Sequence, residues 1–510
     1  MATTYTPSEY RQSGGRADSM TRFFSRAITL NWYTVAYIAI FIVAVFTRFY
    51  ALGDRVMSHD ESLHTYYSWL LARNGDYVHT PMMHGPILFH ATAFFYFIFG
   101  ANDFTSRLYP AILGVLMVLF PLLFRRWLGR TGALIASLLV LISPLLMYHH
   151  RYIREDTPSI FFTIIMVWAT FMYIDGPMHL RRKARWLYLF SGAMLASLAS
   201  KEVAFMYIAV FGVILTVYWV CRVIQYRFTR PTKTLFYFLT MPALLGGVVA
   251  LIMYMVFSIA LGAYPSLEGR LEFMSAQLRG LGSGTTSLDF SMFLNWTLLT
   301  VVGTLVVIAG TAVWAFRRNL TRLRWREVLL IFGLTVVLCV GLIIIEEVSH
   351  LPSRSEAIAA DPDYDQIDTV AERSSPIIAA WVLSALAIGI VAYIWRKGWV
   401  RKFYRFPEFD ILIIMGSFII PWGTGLFTYL TGASPRDQSP DGITRTLLVL
   451  IPFLAVMIFS GLVWNWKRWL ISAIVFHVLF VFFFTTMFTN PGGLFTGMIG
   501  SLGYWLDQQG

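Results

Sequence analysis

From Ile28 onward the chain is a succession of apolar runs broken by short charged stretches, and this alternation leaves few folds open. Many runs extend for roughly 18 residues or more, enough to cross about 30 Å of hydrocarbon. A backbone N–H or C=O in lipid finds no water, so each run must close its own hydrogen bonds as an α-helix or join a closed barrel. Barrel strands alternate apolar and polar residues, and these runs do not. The expected class is all-α: a polytopic membrane protein of about 13 transmembrane helices plus one juxtamembrane helix on the outer face. Composition agrees, with 57% hydrophobic and only 13% charged residues among 510.

The net charge of +12 raises the question of nucleic acid. Its distribution answers it. Lysine and arginine gather in short clusters between the apolar runs, as they do in cytoplasmic loops. No basic face with interleaved stacking aromatics is visible, so nucleic acid is not an expected partner and membrane lipids are. Cys221 and Cys339 fall in or beside apolar runs, which supports neither a disulfide nor a zinc site. Residues 1–27 are polar and basic and read as a cytoplasmic tail ahead of a retained span.

Charge also sets the topology. A first span over about 28–51 leads outward to residues 52–85. The run 87–99 is too short to cross and is expected to lie at the outer interface. If it crossed, Arg125, Arg126 and Arg130 would land outside and every later basic cluster would invert. Further spans are expected at 107–124, 131–148, 157–174, 186–199, 203–220, 234–262, 293–316, 327–345, 376–395, 410–430, 443–464 and 469–488, which leaves the C-terminus outside. The expected modules are 28–220, with outer loops 52–106 and 149–156, and 221–510, with outer loops 263–292, 346–375 and 431–442.

That fold-back gathers polar residues on one side. They are Asp60-Glu61 with His59 and His64, then His84, then Arg151 and Arg154-Glu155-Asp156, then Lys201-Glu202. Taken singly, each has a plain explanation: acids in loops are solvated surface, and membrane-edge cations snorkel. Together, acids and cations from three hairpins converge on the outer face, while basic anchors fill the other. Asp60 and His64 share a face if their segment is helical, whereas Glu61 points about 100° away. The spacing of Asp361, Asp363, Asp365 and Glu372 echoes a calcium loop, but Gln366 stands where the turn needs glycine, so a solvated acidic loop is expected.

A family resemblance follows from these motifs in order. Asp60-Glu61, His84-Gly85-Pro86-Ile87-Leu88, Phe99-Gly100-Ala101-Asn102-Asp103 and Arg107-Leu108-Tyr109-Pro110 resemble the N-terminal half of GT-C membrane glycosyltransferases. The motifs look like those of the branch of protein O-mannosyltransferases and lipid A aminoarabinose transferases, and are also similar to a flippase-associated group of archaea and Chloroflexi. Arg154-Glu155-Asp156 resembles the family's second outer acid, and Ser200-Lys201-Glu202 its lysine after a short span. Gly85 departs from the family by replacing a first proline.

The resemblance implies an inverting transfer of sugar from a polyprenyl-phosphate donor to a lipid, glycan or protein acceptor outside a prokaryotic plasma membrane. It casts Asp60 and Glu61 as catalytic acids and Arg154, Lys201 and Arg151 as donor-phosphate ligands. His59, His64, His84, Glu155 and Asp156 support them. Cations alone can hold a monophosphate. Magnesium or manganese bound by Asp60 with Glu155 or Asp156 is the other route. A flippase or transporter component for lipid-linked sugars, or a non-catalytic accessory protein, would show similar charges. Little intramembrane charge lies on the inner half, which favours the enzyme.

Overall fold

The computed structural model describes residues 31–225, 375–396, 398–430 and 439–507. The tail, the spans expected at 234–262, 293–316 and 327–345, the loop 263–292 and the acidic stretch Asp361–Glu372 lie outside the described residues. Among the described residues every regular element is helical and no strand forms. The chain divides into two compact units. One holds residues up to Tyr77 and Pro86–Ile164, the other Val78–Gly85 and Ile165 onward.

In the first unit, α1 (Trp32–Phe49) starts at Asn31, whose side chain accepts the Thr34 amide at 2.9 Å. After it, α2 (His59–Asn74) opens on a reciprocal cap: Ser58 Oγ accepts the Glu61 amide while the Glu61 carboxylate accepts the Ser58 amide. It closes on Gly75 at φ 69°, a left-handed residue that glycine adopts without strain. The apolar helix α3 (Ile87–Phe99) has 13 residues and rises only about 20 Å. Glu61, in the first turn of α2, is ion-paired at 2.9 Å with Arg107 after α3, so α2 and α3 together bring the chain back to where α2 begins. At 13 residues α3 is shorter than the length that crosses hydrocarbon.

The next pair is a hairpin. Helix α4 (Leu108–Leu119) runs through a 3-10 turn (Phe120–Phe124) into α5 (Arg125–Ile142), with the break at Gly129, φ 74° and ψ 169°. Arg125, Arg126 and Arg130 surround that reversal. Helices α1, α4 and α5 bury Ile40, Ala44, Val115, Val118 and Leu141 against one another. The span expected to continue to residue 148 stops at Ile142. Ser143 leaves the helix at ψ 115° because Pro144 disfavours α geometry in its predecessor, and α6 (Pro144–His150) starts afresh. Helix α7 (Asp156–Asp175) then begins, its first half belonging to this unit.

The second unit contains the rest of α7 with α8 (Ala184–Leu198), α9 (Ala204–Gln225), α10 (Ser375–Arg396), α11 (Pro407–Ile419) and α12 (Pro440–Phe484). Helices α8, α10 and α11 pack on α12. The 45 residues of α12 break at Asn465 (φ −159°, ψ 91°), whose Oδ1 caps the next leg by accepting the Arg468 amide at 3.2 Å. The break separates the two spans expected over this stretch. The helix ends that carry basic clusters are tied together by acids. Asp410 accepts from the Tyr173 hydroxyl and from Trp464 Nε1 at 2.9 Å, with Arg182 and Arg468 at 3.9 Å. Glu408 pairs with Arg222 at 3.1 Å. A buried acid with this many donors is compensated, so it fastens the helix ends together.

Candidate active site

Glu61 is fully enclosed, and its surroundings explain how a carboxylate survives there. Arg107, equally enclosed, meets it with two parallel hydrogen bonds, Nε–Oε1 at 2.9 Å and Nη2–Oε2 at 3.0 Å. Arg55 Nη2 adds a third at 2.8 Å, and the amides of Ser58 and Ile153 approach at 3.2 and 3.4 Å. Burial alone would raise the Glu61 carboxyl. The Arg107 hydrogen bonds, the Ser58 amide and the charges of Arg107 and Arg55 outweigh burial, so the carboxyl sits below its usual range. Arg107 also donates from Nη1 to the carbonyls of Leu52 (2.9 Å) and Arg55 (3.0 Å). Arg55 lies 5.1 Å from the Tyr152 ring, and the Tyr152 hydroxyl bonds Ser58 Oγ at 2.5 Å.

Asp60, one residue earlier, is placed quite differently. Its side chain is 45% exposed and faces Arg154 Nη1 at 3.2 Å. Arg154 Nε also reaches Asp156 at 3.5 Å. One exposed guanidinium thus stands between two accessible carboxylates, above a base that is neutralised and packed. The helical turn separates the two acids as the 100° rotation requires: Glu61 inward, Asp60 outward. The resemblance casts both as catalytic, but Glu61 has no face open to a substrate.

The remaining expected residues sort by what they touch. Arg151 donates to the carbonyls of Thr47 (2.9 Å) and Ala51 (3.1 Å), groups that the end of α1 leaves without intrahelical partners. His64 is buried, with Nδ1 2.7 Å from the Asp60 carbonyl and Nε2 2.5 Å from Glu155, itself fully enclosed. His59 is exposed in the first turn of α2. Asp60, Glu155 and Asp156 do not converge as metal ligands in this conformation. Glu155 faces inward, Arg154 separates the other two, and no group of three or more such side chains is placed to hold an ion among the described residues.

A second polar group lies within the second unit. His84 Nδ1 is 2.7 Å from Glu202, and the Gly85 amide donates to the Ser200 carbonyl at 3.2 Å. A Cβ at Gly85 would collide with the Ala199 carbonyl. Proline, which the family resemblance leads one to expect there, would bring both that bulk and a missing N–H. Lys201 occupies the turn between those two attachments, Ser200 and Glu202. His79 joins the same unit by bonding Thr496 Oγ1 at 2.9 Å.

Sequence places Arg107 in a motif of the resemblance without pairing it with Glu61, and it does not single out Arg55 or Tyr152. The one local signal is the Ser58-x-x-Glu61 capping pattern, which marks a helix start and turns Glu61 back toward the chain.

Residues 83–259, about a third of the chain, match the family model described as dolichyl-phosphate-mannose-protein mannosyltransferase. The matched stretch contains His84, Arg107, Arg154, Glu155, Asp156 and Lys201 and begins beyond Asp60. No curated protein matches the chain. Among solved structures, ArnT from Cupriavidus metallidurans is similar in its apo state at 15% identity, over 86% of this chain and 77% of that one, with TM-score 0.32. Its form bound to undecaprenyl phosphate gives the same identity and coverage with TM-score 0.31. The apo oligosaccharyltransferase of Archaeoglobus fulgidus is 14% identical over 92% of this chain and 56% of that one, with TM-score 0.35.

Proposed function

We propose that this chain, a GT-C-type membrane glycosyltransferase by its match over residues 83–259, transfers a sugar from a polyprenyl phosphate to an acceptor outside a prokaryotic plasma membrane. Asp60 removes the proton from the acceptor hydroxyl. The freed oxygen attacks the anomeric carbon opposite the phosphate. The bond from that carbon to the phosphate oxygen breaks, its electron pair leaves on the phosphate, and the configuration inverts. Arg154 faces the charge that develops on the departing phosphate.

The observation that carries this reading is the pairing of an accessible Asp60 with Arg154 at 3.2 Å. A phosphate that takes the Arg154 donors leaves the Asp60 carboxylate free to face the acceptor hydroxyl. The acceptor is a lipid, glycan or protein hydroxyl.

The test is transfer of label from polyprenyl-phosphate mannose to native membrane vesicles by the purified chain. Asp60→Asn should bind donor normally and lose about two to four decades of transfer rate. Full activity in that variant removes Asp60 from the mechanism.

A further inference from the structure

Between Asp60 and Arg154 there is a second, buried connection. The Asp60 carbonyl can only accept, so the proton on His64 that faces it at 2.7 Å sits on Nδ1. That leaves Nε2 toward Glu155 Oε1 at 2.5 Å. The alignment falls outside strict hydrogen-bond geometry, and neither Glu155 oxygen has another hydrogen-bond partner. Two lone pairs do not face each other at that separation, so one proton must lie between them. A fully enclosed carboxylate with no other donor depends on it.

The rest of the surroundings hold both groups in place. The His64 ring packs 5.5 Å from Phe89 of α3, and the His64 carbonyl accepts Ser68 Oγ at 2.7 Å. The Glu155 carbonyl accepts the Ser159 amide at 3.0 Å, starting α7. The other titratable groups nearby are Tyr77, which burial and the Glu155 charge push upward, and the Glu61, Arg107 and Arg55 cluster one residue along α2.

The connections form a closed ring: Asp60 carboxylate to Arg154, along the chain to Glu155, across to His64, and back to the Asp60 carbonyl. We propose that His64 and Glu155 are a positioning couple whose role is to set the distance between Asp60 and Arg154. The proposal rests on the transfer reading above for its consequence and on geometry alone for its existence. Neither residue is catalytic, since both are shut away from any substrate. A shift of about 1 Å at a reacting pair is enough to lower a rate by about 10²-fold.

The test uses the full-length protein in detergent, with dolichyl-phosphate mannose as donor and membrane vesicles as acceptor source. In Glu155→Gln an amide N–H replaces the shared proton and can donate to His64 Nε2, so the transfer rate should stay within about threefold of wild type. Glu155→Leu and His64→Phe should each lower kcat by about 10²-fold with donor KM little changed. The double variant should be no worse than either single one, as for members of one couple. Hydrogen exchange in segments 58–66 and 150–157 should quicken in the Leu and Phe variants and stay slow in the Gln variant, whatever the sugar transferred.

Normal transfer in Glu155→Leu overturns the proposal. So does a Glu155→Gln protein as damaged as Glu155→Leu, because the carboxylate itself would then be needed. If Asp60→Asn is fully active or wild type does not use this donor, the transfer reading fails or its donor is wrong. Exchange then decides the couple alone: equal protection in all variants removes it. If a variant is unprotected throughout the α4–α5 hairpin as well, it has unfolded, and the comparison of Glu155→Gln with wild type decides instead.

Discussion

Replacing Arg107 by methionine tests whether the base of the site is held by charge pairing. The substitution keeps an unbranched chain of similar reach and removes every donor. Among the described residues Glu61 would keep Arg55 as its paired cation, and Arg55 is 41% exposed where Arg107 is enclosed. Breaking a buried pair from one side costs about 3–5 kcal/mol because a charge is left behind without its partner. The Leu52 and Arg55 carbonyls also lose their Arg107 donor, at about 1 kcal/mol each where water does not replace it. A total near 5–7 kcal/mol is roughly several thousandfold or more in the folded ratio.

The assay is SDS titration of the purified protein in mixed micelles, repeated across pH. In wild type the Glu61 carboxyl lies below its unfolded value, so its contribution is present above the ordinary carboxylate range and fades as pH falls through the folded-state value. Without Arg107, burial becomes the dominant influence and raises the carboxyl. Its effect then reverses, with stability gained on acidification and lost as pH rises. The double variant E61Q/R107M, which removes the charge with its partner, should recover to within about 2 kcal/mol of wild type. A loss under about 1 kcal/mol in R107M, or a double variant as weak as R107M, refutes the pairing argument.

Two other expectations concern neighbouring positions. Gly85→Ala should displace the 81–86 segment and cost about 1–3 kcal/mol in the same titration, because its new methyl meets the Ala199 carbonyl; an unchanged midpoint would show that the segment yields freely. Lys201→Ala and Arg151→Met should part company in binding undecaprenyl phosphate. The first should weaken it by about 1.5–3 kcal/mol and the second should leave it unaltered, since Arg151 is occupied with the Thr47 and Ala51 carbonyls; the reverse order would exchange their roles.

The part of this architecture that sequence displays is the part controlled by local periodicity and by charge sidedness. The shortness of the Ile87–Phe99 helix is read directly from its apolar run. The unequal fates of Asp60 and Glu61 follow from helical rotation alone. Arg107 as the partner of Glu61 is another matter: 46 residues separate them, and nothing near either one in sequence points to the other. Arg151 misleads for a related reason. A cation at a membrane edge looks alike whether it awaits a phosphate or covers a helix end, and only the carbonyls of Thr47 and Ala51 distinguish the two. The early end of α5 is legible in principle, since Ser143-Pro144 is a local signal that a run of apolar residues conceals.

The segment Val78–Gly85 has a bearing on how the chain can be divided. A cut after Ile164 follows the boundary between the units, yet it would give two unequal claims on eight residues. The downstream fragment would be deprived of the histidine that partners Glu202, the amide that the Ser200 carbonyl accepts and the imidazole that meets Thr496. The upstream fragment would carry those same residues away from Glu202, Ser200 and Thr496. Complementation between separately expressed halves therefore requires the downstream half to recapture a strip of its neighbour, and a circularly permuted chain that opens at 164 keeps the strip only if it stays tethered on both sides.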